Sequence, residues 1–465
     1  MQPIENPISA SGDPDAASPI GSGRMSARRD LILRVFRALD EAGIDYCMPH
    51  GHEELPGPDG SDVDIIIDPA IPSAELSRFF VDRRALLGVE ILESRGYLQV
   101  LATSDAAASV AFDFAPDVTL GPMHVLSGRE VLANRIRRDD VWIPQPDVEF
   151  ICLLLRSLYK GSMKAQRRRR LSALYEQDGA GCDRRINGFF AGPDADRIVA
   201  AARRAQWDEL DPQTRRLSRA MSRRAFLRHP LRTVRLGCDA LARRFDRILR
   251  PSGMRVVLLG PDGAGKSTLS EALEVPPLAV FDRTDCRGFA PKMFRRLLRR
   301  RQGPTDQPHA LPPRSAAVSI IRAGYWLAHQ TAEHAASRID LARATLIIYD
   351  RHFVDILVDH KRYRYGGPLW LLSMIWSILP KPDLVLLLDA PAEVLFQRKQ
   401  ELSLDETDRQ RRRYLALVTS LENGHVLDAA QPFESVFDQV SRILVAHLAR
   451  REAERRNFPA SVVEP

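Results

Sequence analysis

The sequence contains few cysteines, and they form no recognisable pattern. Five occur in 465 residues, none in a C-x-x-C pair: Cys47, Cys152, Cys182, Cys238 and Cys286. An odd, scattered set argues against both a disulfide framework and a cysteine-based zinc site. We therefore expect reduced thiols and a cytoplasmic location.

Long hydrophobic runs are also missing. The longest mostly apolar stretch runs from Leu369 to Leu379, and a membrane-spanning helix needs about 20 residues. This stretch is predicted to be a buried helix, with contact to a membrane interface as the alternative. The first residues lack the charged-then-apolar pattern of a signal peptide, so export is not expected.

Acidic residues are scarce in the middle of the chain. From Arg156 to Arg250 there are 24 Lys and Arg against 10 Asp and Glu, a net charge of +14 in a chain whose total is +7. Such a segment can attract nucleic acid, anionic lipid or a polyanionic substrate. No aromatic stacking pattern accompanies it, so we interpret it as a solvated helical connector and do not expect nucleic acid as a partner.

The sequence does contain a phosphate-binding loop after a buried strand. The aliphatic run Val256 to Leu259 is followed by G-x-x-x-x-G-K-[ST]. The glycines allow a tight turn that brings backbone N–H groups to a phosphate chain at a helix N-terminus. We predict that ATP contacts Gly260, Asp262, Gly263, Ala264, Gly265, Lys266, Ser267 and Thr268. Lys266 is expected on the β- and γ-phosphates and the Ser267 hydroxyl on Mg²⁺.

A second strand, Thr345 to Tyr349, ends in Asp350 and Arg351. In P-loop enzymes the carboxylate after the strand beside the loop commonly supports Mg²⁺, and an arginine there can bind a phosphate through two hydrogen bonds. A strand-end cap is the alternative for Asp350.

Two basic segments are candidates for contact with phosphate. Arg398 lies on a helix predicted from Ala392, and Arg409 lies in the arginine-rich stretch that follows. Such a stretch can close over a transferring phosphoryl group, or it can be a solvated helix. For Arg295, Arg296 and Arg299–Arg301 a solvated helix face is the default interpretation, and a binding surface for acceptor phosphate is the alternative.

Periodicity places the remaining elements. Helices are predicted over Ala27–Ala42, Val148–Leu158, Ala316–Ala342 and Phe433–Leu448. Strands are predicted over Tyr46–Pro49, Val63–Ile67, Ser109–Phe114, Leu278–Phe281, Asp383–Leu388 and His425–Leu427.

From about Arg255 to Leu448 the chain resembles the thymidylate kinases, a branch of the nucleoside monophosphate kinases. The resemblance rests on GPDGAGKST at 260–268, DRH at 350–352, PDLVLLLD at 382–389, the helix bearing Arg398, and VLDA at 426–429. It implies a doubly wound parallel sheet and the use of ATP and Mg²⁺. It further implies that Asp350 and Arg351 bind metal and acceptor phosphate, that Asp262 faces the acceptor sugar or metal, that Arg398 and Arg409 belong to a lid, and that Asp428 and Ala429 lie near adenine.

Two departures from that family concern the acceptor. Residues 353–357, FVDIL, replace the family's Ser-x-x-Ala-Tyr-Gln, and Ser403-Leu404-Asp405 stands where the lid usually carries an arginine. ATP-dependent phosphoryl transfer is therefore predicted, whereas thymine recognition is not.

The N-terminal part resembles the nucleotidyltransferase superfamily. A turn at Gly51 is followed by Asp62 and Asp64, which share one face of a strand, and by Asp113 on a later strand. Three such carboxylates could hold divalent metal for an in-line displacement. His52 departs from the family, which usually has Ser or Gly there. A turn that caps a strand is the alternative.

We therefore predict a disordered tail (1–25), an α+β nucleotidyltransferase-like domain (26–125), a helical extension and basic linker (126–250), a P-loop α/β kinase domain (254–450) and a second tail (451–465). The predicted function is ATP- and Mg²⁺-dependent phosphoryl transfer to a nucleoside monophosphate or a related phosphorylated acceptor. Nucleotidyl transfer at the D-x-D site and a non-catalytic ATP-binding scaffold in surface-polysaccharide biosynthesis are the alternatives. Peripheral membrane contact and a homodimer remain open.

Overall fold

The computed structural model describes residues 19–55, 57, 62–228, 230–288, 312–400 and 402–456. Within these ranges the chain forms two five-stranded sheets, each at the centre of its own lobe, and two short hairpins. The predicted basic set at Arg295–Arg301 and residues 1–18 and 457–465 of the predicted tails lie outside the described residues.

The N-terminal lobe is built on a mixed sheet of order β1-β2-β5-β4-β3. Its strands are β1 (Tyr46–Cys47), β2 (Val63–Ile67), β3 (Val89–Arg95), β4 (Leu98–Thr103) and β5 (Ser109–Ala115). Helices α1 (Pro19–Glu41) and α2 (Ser73–Leu87) share a buried apolar cluster with this sheet. Strands β2 and β5 run parallel, which brings their carboxyl ends to the same edge.

Hairpins and a helical region follow. The hairpins pair β6 (Asp117–Leu120) with β7 (Met123–Ser127) and β8 (Arg135–Arg138) with β9 (Val141–Pro144), and α3 (Gly128–Ala133) lies between them. The helices are α4 (Pro146–Lys160), α5 (Ala165–Gln177), α6 (Gly179–Phe189), α7 (Pro193–Arg204), α8 (Thr214–Arg228) and α9 (Pro230–Leu249). Helices α5, α6 and α8 pack directly against α4, most of whose side chains are buried, and α7 joins the same apolar cluster.

The hairpin β8–β9 interrupts the mostly helical extension that was predicted over 126–250. Asp139, at the turn, has φ 52°, a value that favours a tight hairpin connection. Arg135 and Arg137 then stack on Trp142 of the facing strand, 4.5 and 5.5 Å from the ring centroid.

The C-terminal lobe is a parallel sheet of order β11-β12-β10-β13-β14. Its strands are β10 (Met254–Leu259), β11 (Arg283–Arg287), β12 (Thr345–Tyr349), β13 (Leu384–Asp389) and β14 (Gly424–Asp428). Its helices are α10 (Lys266–Ala272), α11 (Ala316–Ala342), α12 (Phe353–Val358), α13 (Leu369–Ile378), α14 (Ala392–Arg398), α15 (Leu404–Thr419) and α16 (Phe433–Arg456). This arrangement confirms the predicted P-loop α/β fold.

The edge strand of this sheet was predicted in the wrong place. Leu278–Phe281 forms turns whose apolar side chains fill the core, and the strand is β11, a few residues later. The polar side chains of β11 find partners on the neighbouring helix, because Arg283 and Arg287 both pair with Asp340 of α11. Burial of apolar residues alone does not distinguish a strand from a packed turn.

Both terminal helices are longer than predicted. Helix α1 begins at Pro19 rather than Ala27, so part of the predicted tail is helical, and Arg24 stacks on Phe437 of α16 at 4.8 Å. Helix α16 continues eight residues beyond Leu448, to Arg456. In each case a contact with the other lobe accompanies the extra turns.

Helix α13 is only half buried, in contrast to the prediction. Leu372 and Ile375 face the core, while Leu369, Trp370, Met374 and Ile378 are exposed. Across the described ranges, each helix is too short or too polar to cross a bilayer.

The two lobes share one hydrophobic cluster. Leu92 and Val100 of the N-terminal sheet belong to the same buried set as Leu444 and Leu448 of α16. Around this set, the Ser94 backbone N–H donates to Glu452 Oε1 (3.2 Å) and Ser252 Oγ to Glu93 Oε1 (2.8 Å).

The predicted domain boundary at 251–253 is held in place by hydrogen bonds from α16. Arg451 donates to the carbonyl oxygens of Gly253 (2.9 Å) and Ser252 (2.7 Å), and Arg455 donates to that of Pro251 (2.9 Å). The residues that lead into β10 are therefore held by the last helix of the chain.

This shared cluster predicts that the lobes lose stability together. Replacing the buried Leu92 by alanine should cost about 2–4 kcal/mol of unfolding free energy, through lost burial and a cavity. Leu86→Ala, at a side chain that is 75% exposed, is the control and should change it by less than about 0.5 kcal/mol. Hydrogen exchange should show lost protection in both β4 and α16. Loss confined to β3 and β4 would contradict a shared core.

Candidate active site

The loop between β10 and α10 has a backbone conformation that suits glycine. Gly260, Gly263 and Gly265 have φ of 148°, 87° and 89°. A Cβ on Gly260 would lie 2.6 Å from the Leu388 carbonyl oxygen, and one on Gly263 would lie 3.0 Å from that of Leu395. The loop is thus pressed against β13 and α14, and any side chain at these positions would push it out of place.

The Lys266 ammonium group folds back onto this loop. Its Nζ donates to the carbonyl oxygens of Gly260 (2.7 Å) and Pro261 (2.9 Å). Burial lowers the pKa of Lys266, while the nearby carboxylates of Asp262 and Asp355 act in the opposite direction. Ser267 and Thr268, which follow on the first turn of α10, are exposed.

A narrow crevice separates the loop from the segment that follows β12. Gly260, Asp262 and Lys266 line one side, and Asp350 and Arg351 line the other. Three of the five predicted catalytic residues, Lys266, Asp350 and Arg351, are therefore brought together. The parallel pairing of β10 with β12 places the carboxyl ends of both strands at this edge.

The turn that carries Asp350 and Arg351 is fixed by a capping box on α12. His352 Nδ1 accepts from the Val354 backbone N–H (3.4 Å), and Asp355 Oδ2 accepts from the His352 backbone N–H (2.8 Å). Burial, with a smaller contribution from Lys381, lowers the pKa of His352 to about 3. A neutral histidine is required here, because a protonated Nδ1 could not accept the capping bond.

Helix α15 contributes two polar side chains that the sequence analysis missed. Tyr414 Oη donates to Asp355 Oδ1 (2.9 Å), and Gln410 Nε2 donates to Asp359 Oδ2 (2.8 Å). Burial raises the pKa of Asp355, against the lowering effect of its two hydrogen bonds. The available signal was the spacing: Gln410 and Tyr414 are four residues apart and so share one face of an arginine-rich helix.

An ion pair closes the crevice. Arg362 Nη1 lies 2.5 Å from Asp262 Oδ2, which ties the segment after α12 to the phosphate loop. The remaining free volume is about 10 Å³, roughly the space for one water molecule. With Arg362 paired to Asp262, this space is too small for a molecule much larger than water.

The predicted lid residues fall into two groups. Arg398 Nη1 donates to the Ala429 carbonyl oxygen (2.9 Å), and Asp428 accepts from the Ala430 backbone N–H (3.0 Å). Arg398, Asp428 and Ala429 thus lie together. Arg409 is 65% exposed, pairs with Glu406 and does not line the crevice. Arg411, a helical neighbour, makes two 2.8 Å hydrogen bonds to Asp389 at the end of β13.

The N-terminal lobe holds a second cluster of charged groups. The register of β2 and β5 places Asp64 opposite Asp113. Asp64 Oδ2 lies 3.2 Å from Arg156 Nη1 and 3.3 Å from His50 Nε2. Asp113 remains exposed, yet partial desolvation and the charges of Asp64 and Asp62 raise the pKa of Asp113 to about 6.

Two candidate oxygen donors for magnesium lie near the phosphate loop, since Ser267 follows the loop on α10 and Asp350 lines the crevice. Ser267 and Asp350 supply a hydroxyl and a carboxylate, and Mg²⁺ in nucleotide sites needs one or two protein oxygens when phosphates supply others. This donor set fits the ion. No group of three or more His, Cys, Asp or Glu side chains placed to hold a metal is formed by the residues that the structure describes. The three-carboxylate site at Asp62, Asp64 and Asp113 stays a prediction.

The chain was compared with known proteins. No protein-family model matches it. A thymidylate kinase of Xanthomonas campestris pv. campestris (strain B100) is 30% identical over 217 residues, which is 44% of this chain and 88% of the relative. A thymidylate kinase of Xanthomonas euvesicatoria pv. vesicatoria (strain 85-10) matches to the same extent. A probable thymidylate kinase 1 of Saccharolobus solfataricus is 31% identical over 115 residues, 23% of this chain and 57% of that protein. A solved thymidylate kinase from Candida albicans superposes with a TM-score of 0.32 at 17% identity, over 42% of this chain and 93% of that one.

The buried His352 predicts acid sensitivity. Its folded pKa of about 3 lies below the model-peptide value of 6.5. The unfolded state therefore binds more protons between these values, and stability falls as pH drops below 6.5. His352→Asn keeps a capping acceptor without this titration. The stability lost between pH 7 and pH 5 should shrink by about 2 kcal/mol.

Urea denaturation at both pH values measures this difference. His329→Asn, at a half-buried histidine on α11 outside the crevice, is the control and should keep the wild-type pH dependence. An unchanged pH dependence in His352→Asn would show that His352 is not held neutral.

Proposed function

We propose that this chain, which belongs to the thymidylate kinase family, transfers the γ-phosphoryl group of ATP to a nucleoside monophosphate or a related phosphorylated acceptor. The observation that carries the proposal is the juxtaposition of Lys266 on a glycine loop with Asp350 and Arg351 across one crevice. Such a site separates the groups that hold the donor from those that hold the acceptor.

Catalysis here is positioning and charge stabilisation, because phosphoryl transfer asks little covalent chemistry of the protein. Lys266 exchanges its two carbonyl partners for oxygens of the β- and γ-phosphates. Ser267 and Asp350 would hold Mg²⁺, which supplies charge neutralisation when bound. Arg351 binds the acceptor phosphate and aligns it with the γ-phosphorus.

Substrate entry requires the Arg362–Asp262 pair to open. The acceptor phosphate is an anion of higher charge than Asp262, so it competes for the Arg362 guanidinium. Closure of the arginine-rich helix α15 over the bound phosphates then excludes water from the crevice. In the present arrangement Arg411 is bound to Asp389 and Arg409 faces solvent, so neither contacts the phosphate site. The same movement would bring a lid arginine to the phosphates.

The crevice contains more carboxylate groups that an acceptor could contact than the family's Ser-x-x-Ala-Tyr-Gln motif would provide. Asp355 and Asp359 occupy the region of the replaced Ser-x-x-Ala-Tyr-Gln motif, and each is already hydrogen-bonded by α15. Carboxylates accept hydrogen bonds and donate none when ionised. They suit hydroxyl or amino groups better than the two carbonyl oxygens of thymine. The proposal therefore keeps sugar phosphates in the acceptor class.

A second candidate function is nucleotidyl transfer in the N-terminal lobe. The observation that favours it is the pairing of Asp64 with Asp113 on adjacent parallel strands, beside Arg156. Two facing carboxylates with a cation alongside are an arrangement that metal-assisted attack on a nucleotide can use. In that reaction pyrophosphate is released, whereas the kinase releases ADP.

Lys266→Ala tests the kinase proposal. Loss of the ammonium group should lower turnover at least about 100-fold, by analogy with the loss of one preorganised charge donor, and should weaken ATP binding. ADP formation is measured across dTMP, other nucleotides and sugar phosphates, and ATP binding by calorimetry with Mg²⁺. Lys164→Ala, at an exposed lysine in the N-terminal lobe, is the control. Normal turnover in Lys266→Ala would refute the site, and tight ATP binding without turnover on any acceptor would favour a scaffold.

Asp113→Asn tests the second candidate. The substitution removes a carboxylate at constant size, so pyrophosphate release should disappear while ADP formation persists. Lys266→Ala should show the opposite pattern. Asp105→Asn is the control, because Asp105 is exposed and its hydrogen bonds are local, among them one accepted from the Ala107 N–H (3.0 Å). Pyrophosphate release that survives Asp113→Asn would rule out this carboxylate as a participant.

A further inference from the structure

Helix α9 exposes an apolar stripe along its whole length. Leu231, Val234, Leu241, Phe245 and Ile248 are each at least half exposed, and their spacing of three, seven, four and three residues keeps them on one face. The native Cys238 is exposed on the same face. No residue of α9 is buried.

The opposite side of α9 is attached to the protein. The helix packs beside α8, α11 and β7. Arg232 pairs with Asp117 (2.5 Å) and Asp246 with Arg95 (3.3 Å). The contacts on the opposite side hold the helix so that the stripe faces solvent. The helix has 20 residues, so the stripe extends over about 30 Å.

The surroundings of the stripe are strongly basic. From 214 to 250, across α8 and α9, the sequence has twelve arginines and two aspartates. Arg244 is exposed beside the stripe, and Arg247 is exposed one turn further round the helix. An apolar face with arginines on its polar side and low overall hydrophobicity is typical of a helix that lies in a membrane interface.

We propose that α9 docks this protein on the surface of an anionic lipid bilayer. The stripe supplies apolar area for the acyl boundary, and the arginines supply attraction to acidic headgroups. A second copy of the chain fits less well, because pairing two identical faces would bring arginine against arginine. Nucleic acid would satisfy the charge but would leave the apolar side chains in water.

This surface is separate from the phosphate loop, since no stripe residue lines the crevice. The proposal therefore does not depend on the acceptor or on turnover. It places a phosphotransfer site beside a membrane without a membrane-spanning helix in the described residues.

Vesicle sedimentation with the full chain tests the proposal. Vesicles are phosphatidylcholine alone, or phosphatidylcholine with about one third phosphatidylserine. We expect binding to the anionic vesicles only, weakening as salt rises. Leu241→Ser/Phe245→Ser and, separately, Arg244→Glu/Arg247→Glu should each lower the partition coefficient about tenfold or more.

Matched controls lie on other surfaces. Leu86→Ser removes an exposed apolar side chain from α2, and Arg442→Glu reverses an exposed charge on α16. Both should bind as wild type. A polarity-sensitive fluorophore on Cys238 should shift to the blue with anionic vesicles, and labelled Cys238→Ser protein gives the background from the remaining thiols.

Four outcomes would overturn the proposal. They are equal binding to neutral vesicles, wild-type binding by both α9 double variants, no spectral shift at Cys238, and a dimer that the same variants disperse without any vesicle binding. Because the Cys238 label reports on the wild-type sequence at α9, the test holds even if one of the double variants fails to fold.

Discussion

The geometry of the candidate site depends on one strand, β10, which pairs with a parallel strand on each side. Val257 pairs with Tyr349 of β12, and Leu259 pairs with Leu387 of β13. The three strands therefore end at one edge of the sheet, where the phosphate loop, Asp350 and Asp389 emerge together. In open parallel sheets this edge is where ligands bind. The side chains of β10 are buried throughout, so the loop starts from a point that the core fixes.

The second constraint comes from outside the kinase fold. The N-terminal sheet packs against α16, and α16 in turn holds residues 251–253 through Arg451 and Arg455. The strand that carries the phosphate loop is thus anchored at one end by the parallel sheet and at the other by the interface between lobes. This gives the N-terminal lobe a structural role whether or not it has a catalytic one.

Local sequence patterns predicted those helices and strands whose limits are set by residues within the same short segment. Strands β2 and β12 and helix α11 occur at the predicted residues, since their periodicity and flanking residues suffice. The phosphate loop followed from its glycines. Features that depend on distant partners were not predictable in this way. Tyr414 reaches Asp355 across 59 residues, and α1 and α16 extend where they touch the opposite lobe. Arg409 was chosen because it lies in an arginine-rich stretch. Which side chains of α15 are buried depends on the face of the helix that packs against the protein, and that face carries Gln410 and Tyr414.

The clamp between α16 and residues 251–253 limits how such a chain can be rearranged during evolution. Recombination at the apparent domain boundary would separate β3 from the helix that covers it and leave Leu92 and Val100 open to water. An exchange of the N-terminal lobe for that of a relative would succeed only if the last helix travelled with it. The N-terminal sheet and helix α16 would therefore have to be exchanged together, although they belong to different lobes.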